Sequence, residues 1–320
     1  MDISVDLAGL KLEHPLTNAA GTCKHLDEVE LLAKSHTAAI MVGSATLKGG
    51  PGNTGRIYHF DGITSINGVN LANPGGEYYR KYLQEMVMMA HDAGKPLFFS
   101  GAGESPFEYA ELALLAANGG ADLFEINLGC PNRTDGNLKH KAIPSYNPEL
   151  VEEILYQTSQ YLGPRQKMVV GVKVSASLNF LEIPLLAKAI TQGGSVKVVS
   201  GINTLAMGVR FQKDKTGKLQ RKMQIVPQLN GFGGLAGPGI KDLALGQIVL
   251  WREALPDHIQ IIGMGGISRG ENILEFRWAG ADVVAVATAI LNKDRQLKPR
   301  VLAFLLREYK RQLLNQEATP

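Results

Sequence analysis

The chain has 320 residues, 45% of them hydrophobic, and a formal net charge of +3 from 33 basic and 30 acidic side chains. Such an even balance of charge does not indicate a basic surface for nucleic acid, and no stretch is long and apolar enough to span a membrane. We therefore expect the protein to bind neither nucleic acid nor a membrane. Cys23 and Cys130 cannot form a disulfide framework, and with no basic leader at the N-terminus they predict a cytoplasmic protein.

Short apolar strands alternate with amphipathic helices along most of the chain. Residues 3–7 and 10–13 flank Ala8-Gly9 and predict an N-terminal hairpin. The eight strands predicted after it are residues 16–21, 38–42, 97–101, 125–132, 168–174, 196–203, 259–263 and 283–287. The predicted helices are residues 27–34, 78–93, 106–118, 148–162, 181–192, 270–279 and 299–315. A polar turn at Thr216-Gly217, between residues 209–212 and 223–226, predicts a hairpin inserted after the sixth strand.

This alternation predicts one (β/α)8 barrel domain spanning residues 1–320. Near-continuous apolar strands are typical of parallel strands that are buried on both faces. A doubly wound open sheet is the alternative. It is disfavoured because no Gly-x-Gly-x-x-Gly follows the first strand to open a helix.

The C-terminal ends of barrel strands form the active site of such a fold. Lys173 stands between two apolar neighbours, and a buried lysine is costly unless it meets an anion or an electron-rich ring. Gly265-Gly266 and Ala287-Thr288 follow the seventh and eighth strands, where barrels commonly bind phosphate. These features predict a phosphorylated cofactor and a planar, amide-rich substrate, with Cys130 as proton acceptor or nucleophile. We expect no metal ion.

The segment Asn-Leu-Gly-Cys-Pro-Asn at 127–132 resembles the Asn-Leu-Ser-Cys-Pro-Asn motif of class 1, cytosolic dihydroorotate dehydrogenases. Further segments similar to that family occur in the family's order at residues 18–21, 65–67, 171–173, 202–204, 231–237 and 262–267. The resemblance covers nearly the whole chain. It implies a barrel that binds FMN and oxidises (S)-dihydroorotate to orotate in the de novo biosynthesis of pyrimidines and UMP.

Carried over residue by residue, the resemblance makes Cys130 the base that removes the C5 proton while hydride passes from C6 to flavin N5. Lys173 would stabilise the reduced ring. The residues implied to contact FMN are Ala20, Gly21, Ser44, Ser100, Asn127, Lys173, Ile202, Gly237, Gly265, Gly266, Ala287 and Thr288. Those implied to bind the pyrimidine are Asn67, Asn127, Asn132, Asn203 and Thr204.

The chain departs from the family pattern near the site. Val42-Gly43 stand where the family usually has Thr-Lys, Gly129 replaces a serine, and Val69-Asn70 replace Met-Gly or Ile-Gly. Loss of a lysine would weaken binding of the substrate carboxylate. Either Lys48 or Arg56 from the glycine-rich loop replaces it, or the substrate differs.

Other functions stay open. They are a dihydropyrimidine dehydrogenase-like enzyme acting on uracil or thymine, a phosphate-binding lyase or isomerase, and a flavin-binding paralogue without turnover. The electron acceptor is also open, because residues 231–234 resemble the fumarate-using homodimers. Residues 237–241 and 263–268 resemble the enzymes that pass electrons to NAD through an iron–sulfur subunit. A homodimer is favoured over that complex.

Overall fold

Eight parallel strands form one sheet that curls into a nearly closed barrel. The computed structural model describes residues 2–134, 139–164, 167–193, 196–220 and 231–317. The barrel strands, numbered β1 to β8, are Leu16–Asn18, Ile40–Ala45, Leu97–Gly101, Leu123–Asn127, Val169–Lys173, Val196–Gly201, Gln260–Met264 and Val283–Val286. Their hydrogen-bonded order is β1-β8-β7-β6-β5-β4-β3-β2. The predicted (β/α)8 barrel is confirmed.

The seam between β1 and β2 is joined by a side chain. The side-chain amide of Asn18 donates to the carbonyl oxygen of Met41 at 2.8 Å, and its oxygen accepts from the Met41 amide at 2.9 Å. The amide of Ala38 also donates to the carbonyl oxygen of Leu16 at 2.9 Å. These bonds satisfy buried backbone groups that the sheet ladder leaves unpaired at the seam.

Helices pack around the outside of the barrel. They are numbered α1 to α8 and are Leu26–Ala33, Gly76–Asp92, Pro106–Asn118, Pro148–Leu162, Glu182–Gln192, Lys241–Ala254, Gly270–Trp278 and Arg300–Glu317. Helices α3 and α4 begin as their sequences predict, with proline in the first turn and the side chain of Ser105 or Asn147 accepting from a backbone amide. Helix α6 is absent from the predicted set, although its buried Ala244, Ile248 and Trp251 follow helical spacing.

The two predicted hairpins are present. Val5–Leu7 pairs with Leu10–Leu12 at the N-terminus, and Gln212–Lys213 pairs with Leu219–Gln220 around the predicted turn. The second predicted arm, residues 223–226, lies outside the described residues. Residue 209 differs from the prediction because it ends Leu205–Val209, a strand of another sheet.

That other sheet has four antiparallel strands, which sequence analysis does not predict. Its order is Leu205–Val209, Phe232–Ala236, Ser65–Asn67 and Tyr58–Phe60. The strands are short and come from two loops far apart in the chain, which explains why local patterns miss the sheet. It supplies Asn67 and Ala236 to the walls of a cavity at the barrel mouth.

Side chains alternate between the barrel interior and the helices. Phe98 and Leu123 belong to the inner core, whereas Phe99 and Phe124 belong to the core beneath the helices. Because strand side chains alternate with a period of two, residues 100, 125 and 127 also face the barrel interior.

Among the described residues, no helix has the length and apolar character needed to cross a membrane.

Candidate functional site

Two adjoining cavities open at the C-terminal ends of the barrel strands. The one named the glycine cavity is lined by the predicted cofactor residues Ile202, Gly237, Gly265 and Gly266. The one named the amide cavity is lined by Gly21, Ser44, Asn67, Asn127, Cys130 and Asn132. Both are lined by Ala20, Lys173, Asn203, Thr204, Ala287 and Thr288. The fold therefore brings together the predicted cofactor and substrate residues, except that Ser100 lines neither cavity.

The glycine cavity is formed where three backbone segments meet. Gly237 precedes one short 3-10 helix, Thr288–Ile290 forms a second, and Gly265-Gly266 follows β7. Gly265 and Gly266 have φ of +124° and +85°, and a Cβ on Gly266 would lie 2.8 Å from the backbone nitrogen of Lys241. Glycine is thus required there by backbone conformation and close packing. Three loops of this kind can present backbone N–H groups to a phosphate.

Lys173 is the charged side chain common to both cavities. It ends β5, faces the barrel interior and is only 5% exposed. Within the described part of the chain, its ammonium group has no hydrogen-bond acceptor and no ion-pair partner. A buried ammonium without a partner is costly, so this position fits an anionic or electron-rich ring lying across the two cavities.

The amide side chains of the amide cavity are oriented by hydrogen bonds to one another. The side-chain oxygen of Asn127 accepts from the Gly129 amide at 3.1 Å and from Asn203 at 3.2 Å. Asn132 donates to the side-chain oxygen of Asn67 at 3.1 Å, and Asn67 donates to the carbonyl oxygen of Gly234 at 3.1 Å. Each amide is held in one orientation, so the cavity presents a defined pattern of donors and acceptors.

A chain of hydrogen bonds leads from Asn127 into the barrel interior. Asn127 donates to Ser44 Oγ at 2.8 Å, and Ser44 lies 2.8 Å from Ser100 Oγ. Ser100 in turn donates to Oε1 of Glu125 at 2.9 Å. Glu125 is fully buried. Ser100 therefore lies one layer below the cavities, where it connects Asn127 to a buried carboxyl group.

Cys130 is a buried thiol in the wall of the amide cavity. It is 8% exposed, and burial raises its pKa above the ordinary thiol value. A hydrogen bond from the Asn132 backbone and the positive charges of Arg133, Lys173 and Lys24 act in the opposite direction. The thiol is thus protonated at neutral pH, with cations placed to favour its thiolate.

Gly129 sets the distance between the Cys130 loop and the chain after β5. A Cβ on Gly129 would lie 2.7 Å from the amide nitrogen of Ser175. The hydroxyl of Ser175 donates to the carbonyl oxygen of Gly129 at 2.9 Å. The serine of the family motif does not fit this backbone, because the two segments are too close.

Gly43 also has no room for a side chain. Its φ is +118°, and a Cβ there would overlap the carbonyl oxygen of Ser100. The lysine that the family carries at this place is incompatible with this backbone. The two proposed substitutes, Lys48 and Arg56, do not line either cavity.

Two cations that sequence analysis misses line the amide cavity, namely Lys24 and Arg295. Lys24 lies in the loop after β1, three residues beyond the predicted Gly21. Arg295 follows the short helix after β8. Lys24 could have been predicted as a site residue, because it lies in the loop after a strand that the sequence identifies. No local sequence pattern points to Arg295.

In the described ranges, no cluster of three or more His, Cys, Asp or Glu side chains is suited to hold a metal ion.

Comparison with known proteins identifies the family. The family model described as dihydroorotate dehydrogenase matches residues 2–308. The chain is 34% identical over 291 residues to the catalytic subunit of dihydroorotate dehydrogenase B (NAD(+)) from Geobacillus kaustophilus, which covers 90% of this chain and 84% of that protein. It is 30% identical over 303 residues to the probable dihydroorotate dehydrogenase A (fumarate) from Enterococcus faecalis, which covers 94% and 92%. The chain belongs to the dihydroorotate dehydrogenase family, whose members are flavin-dependent oxidoreductases that act on a CH–CH bond.

Proposed function

We propose that this protein binds FMN across the two cavities and oxidises (S)-dihydroorotate to orotate in de novo pyrimidine biosynthesis. The observation that carries the proposal is the joint placement of Cys130, Lys173 and the oriented asparagines around one cavity. A thiol, a cation and a set of amides are the groups needed to remove a proton, stabilise a reduced ring and hold a pyrimidine.

The cofactor proposal rests on the glycine cavity and on Lys173. The backbone at Gly265, Gly266 and Thr288 would hold the phosphate, and Lys173 would lie at the flavin ring. FMN, when bound, supplies the hydride acceptor at N5. Lys173 then contributes a fixed positive charge that favours the anionic reduced ring. Lys173 is buried and its ammonium has no acceptor among the described residues, so the group is free to interact with a bound ring.

The substrate proposal rests on the side-chain atoms that the amide network leaves for a ligand. Asn67, Asn127 and Asn203 each donate one side-chain hydrogen bond to the protein, which leaves each with a second N–H. The side-chain oxygen of Asn132 has no donor among the described residues. The three free N–H groups and the free oxygen of Asn132 complement the ring carbonyls and N–H groups of a dihydropyrimidine. Thr204 lines the cavity beside these asparagines.

Cys130 is proposed as the general base. Its thiolate would take the C5 proton as the C6 hydrogen leaves with its electron pair, so that a C5–C6 double bond forms and the sulfur ends protonated. Burial raises the pKa of the thiol, which makes the thiolate a stronger base once it is formed. Asn132 and Lys173 line the same cavity as that sulfur.

The acceptor and the assembly are proposed from the relatives. Their names specify NAD(+) in one case and fumarate in the other. We propose a cytoplasmic homodimer, with an iron–sulfur electron-transfer subunit as the alternative assembly. The two free, buried thiols of Cys23 and Cys130 suit a reducing compartment.

The decisive experiment is an anaerobic titration of the purified holoprotein with dihydroorotate. Loss of the oxidised flavin absorbance is expected, and Cys130→Ala should slow it severely while leaving the bound flavin in place. Absence of bleaching at high dihydroorotate would contradict the proposed function. Bleaching by dihydrouracil alone would instead identify an enzyme resembling dihydropyrimidine dehydrogenase. A colourless protein that does not take up FMN would favour a lyase or isomerase.

A further inference from the structure

The amide cavity carries more positive charge than the reaction chemistry uses. Its charged lining residues in the described ranges are Lys24, Lys173 and Arg295, and no aspartate or glutamate lines it. Lys173 is assigned to the flavin ring in the proposed function. The other two cations remain without a role. Glu28, which does not line the cavity, acts to raise the pKa of both Lys24 and Arg295, but burial acts more strongly in the opposite direction. A bound anion would relieve the repulsion among three cations in this partly desolvated cavity.

Lys24 lies in the loop after β1, next to Gly43 of β2, and lines this cavity. The amide of Gly43 donates to the carbonyl oxygen of Cys23 at 2.8 Å, so residue 24 follows directly on a residue that is bridged to position 43. The ammonium of Lys24 donates to the carbonyl oxygen of Ala72, in the segment whose Asn70 also lines the cavity. Burial, followed by the charge of Arg295, lowers the pKa of Lys24 to about 8.

Arg295 is held toward the cavity by a tight turn. Its φ is +63°, a conformation that costs a non-glycine residue about 1 kcal/mol or more. The Arg295 amide donates to the carbonyl oxygen of Asn292 at 2.9 Å, and the Asn292 side chain accepts from the amide of Gln296 at 2.8 Å. No hydrogen bond or ion pair joins the guanidinium to any residue that the structure describes. Burial lowers its pKa, and the charges of Tyr58 and Glu28 act to raise it without offsetting the burial.

We propose that Lys24 and Arg295 form an anion subsite that receives the carboxylate of the substrate, in place of the lysine that Gly43 excludes. The inference rests on the proposed function for the identity of the substrate. Lys24 and Arg295 line the same cavity, and the charge of Arg295 acts on Lys24. An ammonium and a guanidinium together match a carboxylate, since both donate charge-assisted hydrogen bonds and Arg binds such groups in bidentate geometry. The ring would then lie against the asparagines with its carboxylate at these two cations.

The test compares two ligands that differ only in the carboxylate. Orotate and uracil are titrated into the holoprotein at neutral pH, and binding is measured by calorimetry and by the change in the flavin spectrum. The variants are Lys24→Gln and Arg295→Gln, with Lys24→Arg as the charge-conserving partner. Lys48→Gln is the matched control, because Lys48 is exposed and lines neither cavity.

We expect Lys24→Gln and Arg295→Gln each to weaken orotate binding about tenfold or more, since each removes a charge-assisted bond. Uracil affinity should hardly change, Lys24→Arg should recover most of the loss, and Lys48→Gln should behave as the unmodified protein does. Equal losses for orotate and uracil, or an unchanged orotate affinity in either Gln variant, would overturn the subsite.

The same titrations separate the subsite from the proposed function. If dihydroorotate fails to bleach the flavin while the Gln variants still lose orotate selectively, the proposed oxidation is wrong and the anion subsite is supported. If bleaching occurs and the variants lose both ligands alike, the subsite alone is wrong.

Discussion

Cys23 and Gly43 form an antiparallel bridge that locks the loop after β1 to the end of β2. The Gly43 amide donates to Cys23 at 2.8 Å, and the Gly21 amide donates to the carbonyl oxygen of Gly43 at 2.6 Å. Lys24 follows this bridge and lines the amide cavity, whereas Gly43 carries no side chain. A cation is therefore available beside position 43 although that position itself has none.

Substitution of Gly43 tests whether this backbone excludes a side chain. Gly43→Ala should destabilise the protein by about 2–5 kcal/mol, because φ is +118° and the new Cβ meets the Ser100 carbonyl. Gly246→Ala is the control, since Gly246 lies in α6 and a Cβ added there would meet no atom of the described residues within 4 Å outside the backbone of the helix itself. It should stabilise by about 0.5–1 kcal/mol. Urea unfolding measures both, and equal effects would disprove the steric account.

The pH dependence of flavin reduction tests Cys130 as the base. The thiolate is the active form and burial raises the thiol pKa, so the rate at saturating dihydroorotate should keep rising with pH through the neutral range and beyond the ordinary thiol value. Cys130→Ser should lower the rate by about 10²–10⁴-fold. Stopped-flow absorbance under anaerobic conditions measures the rate constant.

Cys23→Ala is the matched control for this pH profile. Cys23 is also buried, but it lines neither cavity. The rate and its pH profile should be retained in this variant. A profile that levels off well below the ordinary thiol pKa in the unmodified protein would rule out Cys130 as the titrating base.

The lowered pKa of Lys24 predicts a second pH effect, a loss of affinity for orotate as pH rises. Its pKa is lowered to about 8, chiefly by burial and then by Arg295, while Glu28, Cys130 and Cys23 act to raise it. Below that pH the ammonium is charged and binds the carboxylate; as pH rises through about 8, the charge and the affinity for orotate are lost. Calorimetric titrations from neutral to alkaline pH measure the dissociation constant.

The variant Lys24→Arg separates this effect from other titrations. A guanidinium stays protonated throughout the range, so orotate affinity should become nearly independent of pH. Uracil, which has no carboxylate, should not show the Lys24-dependent decrease in the unmodified protein. An equally steep loss of orotate affinity in Lys24→Arg would assign the titration to another group.

The buried pair of Ser100 and Glu125 predicts a stability effect. Ser100→Ala removes the donor to Oε1 of Glu125, whose Oε2 has no partner in the described part of the chain, and should cost about 1–3 kcal/mol. The loss should be smaller when Glu125→Gln is also present, because the carboxyl group that loses its donor is then already absent. Ser159→Ala, on the surface of α4, should change stability by less than about 0.5 kcal/mol. Additive effects of the two buried substitutions would contradict this coupling.

Much of the fold was readable from the sequence. Apolar strands, prolines in the first turn of helices and short connections are local signals, so the barrel, its helices and both hairpins were predicted, with α6 as the missing helix. The four-stranded sheet was not predicted, because it pairs Ser65–Asn67 with Phe232–Ala236, which lie about half of the chain apart. Local periodicity carries no information about that pairing.

The candidate site divides in the same way. Five predicted residues end barrel strands or follow them closely, namely Asn127, Cys130, Asn132, Lys173 and Asn203, so the sequence by itself determined that they would meet at one rim of a barrel. Asn67 was predicted from the family resemblance, and the four-stranded sheet brings it to that rim. Only the tertiary structure decided that Ser100 lies below that rim and that Lys24 and Arg295 complete the charge of the amide cavity. The physical reason is that the position of Ser100 depends on side-chain direction, that of Lys24 on the Cys23–Gly43 bridge, and that of Arg295 on the turn at residues 292–296.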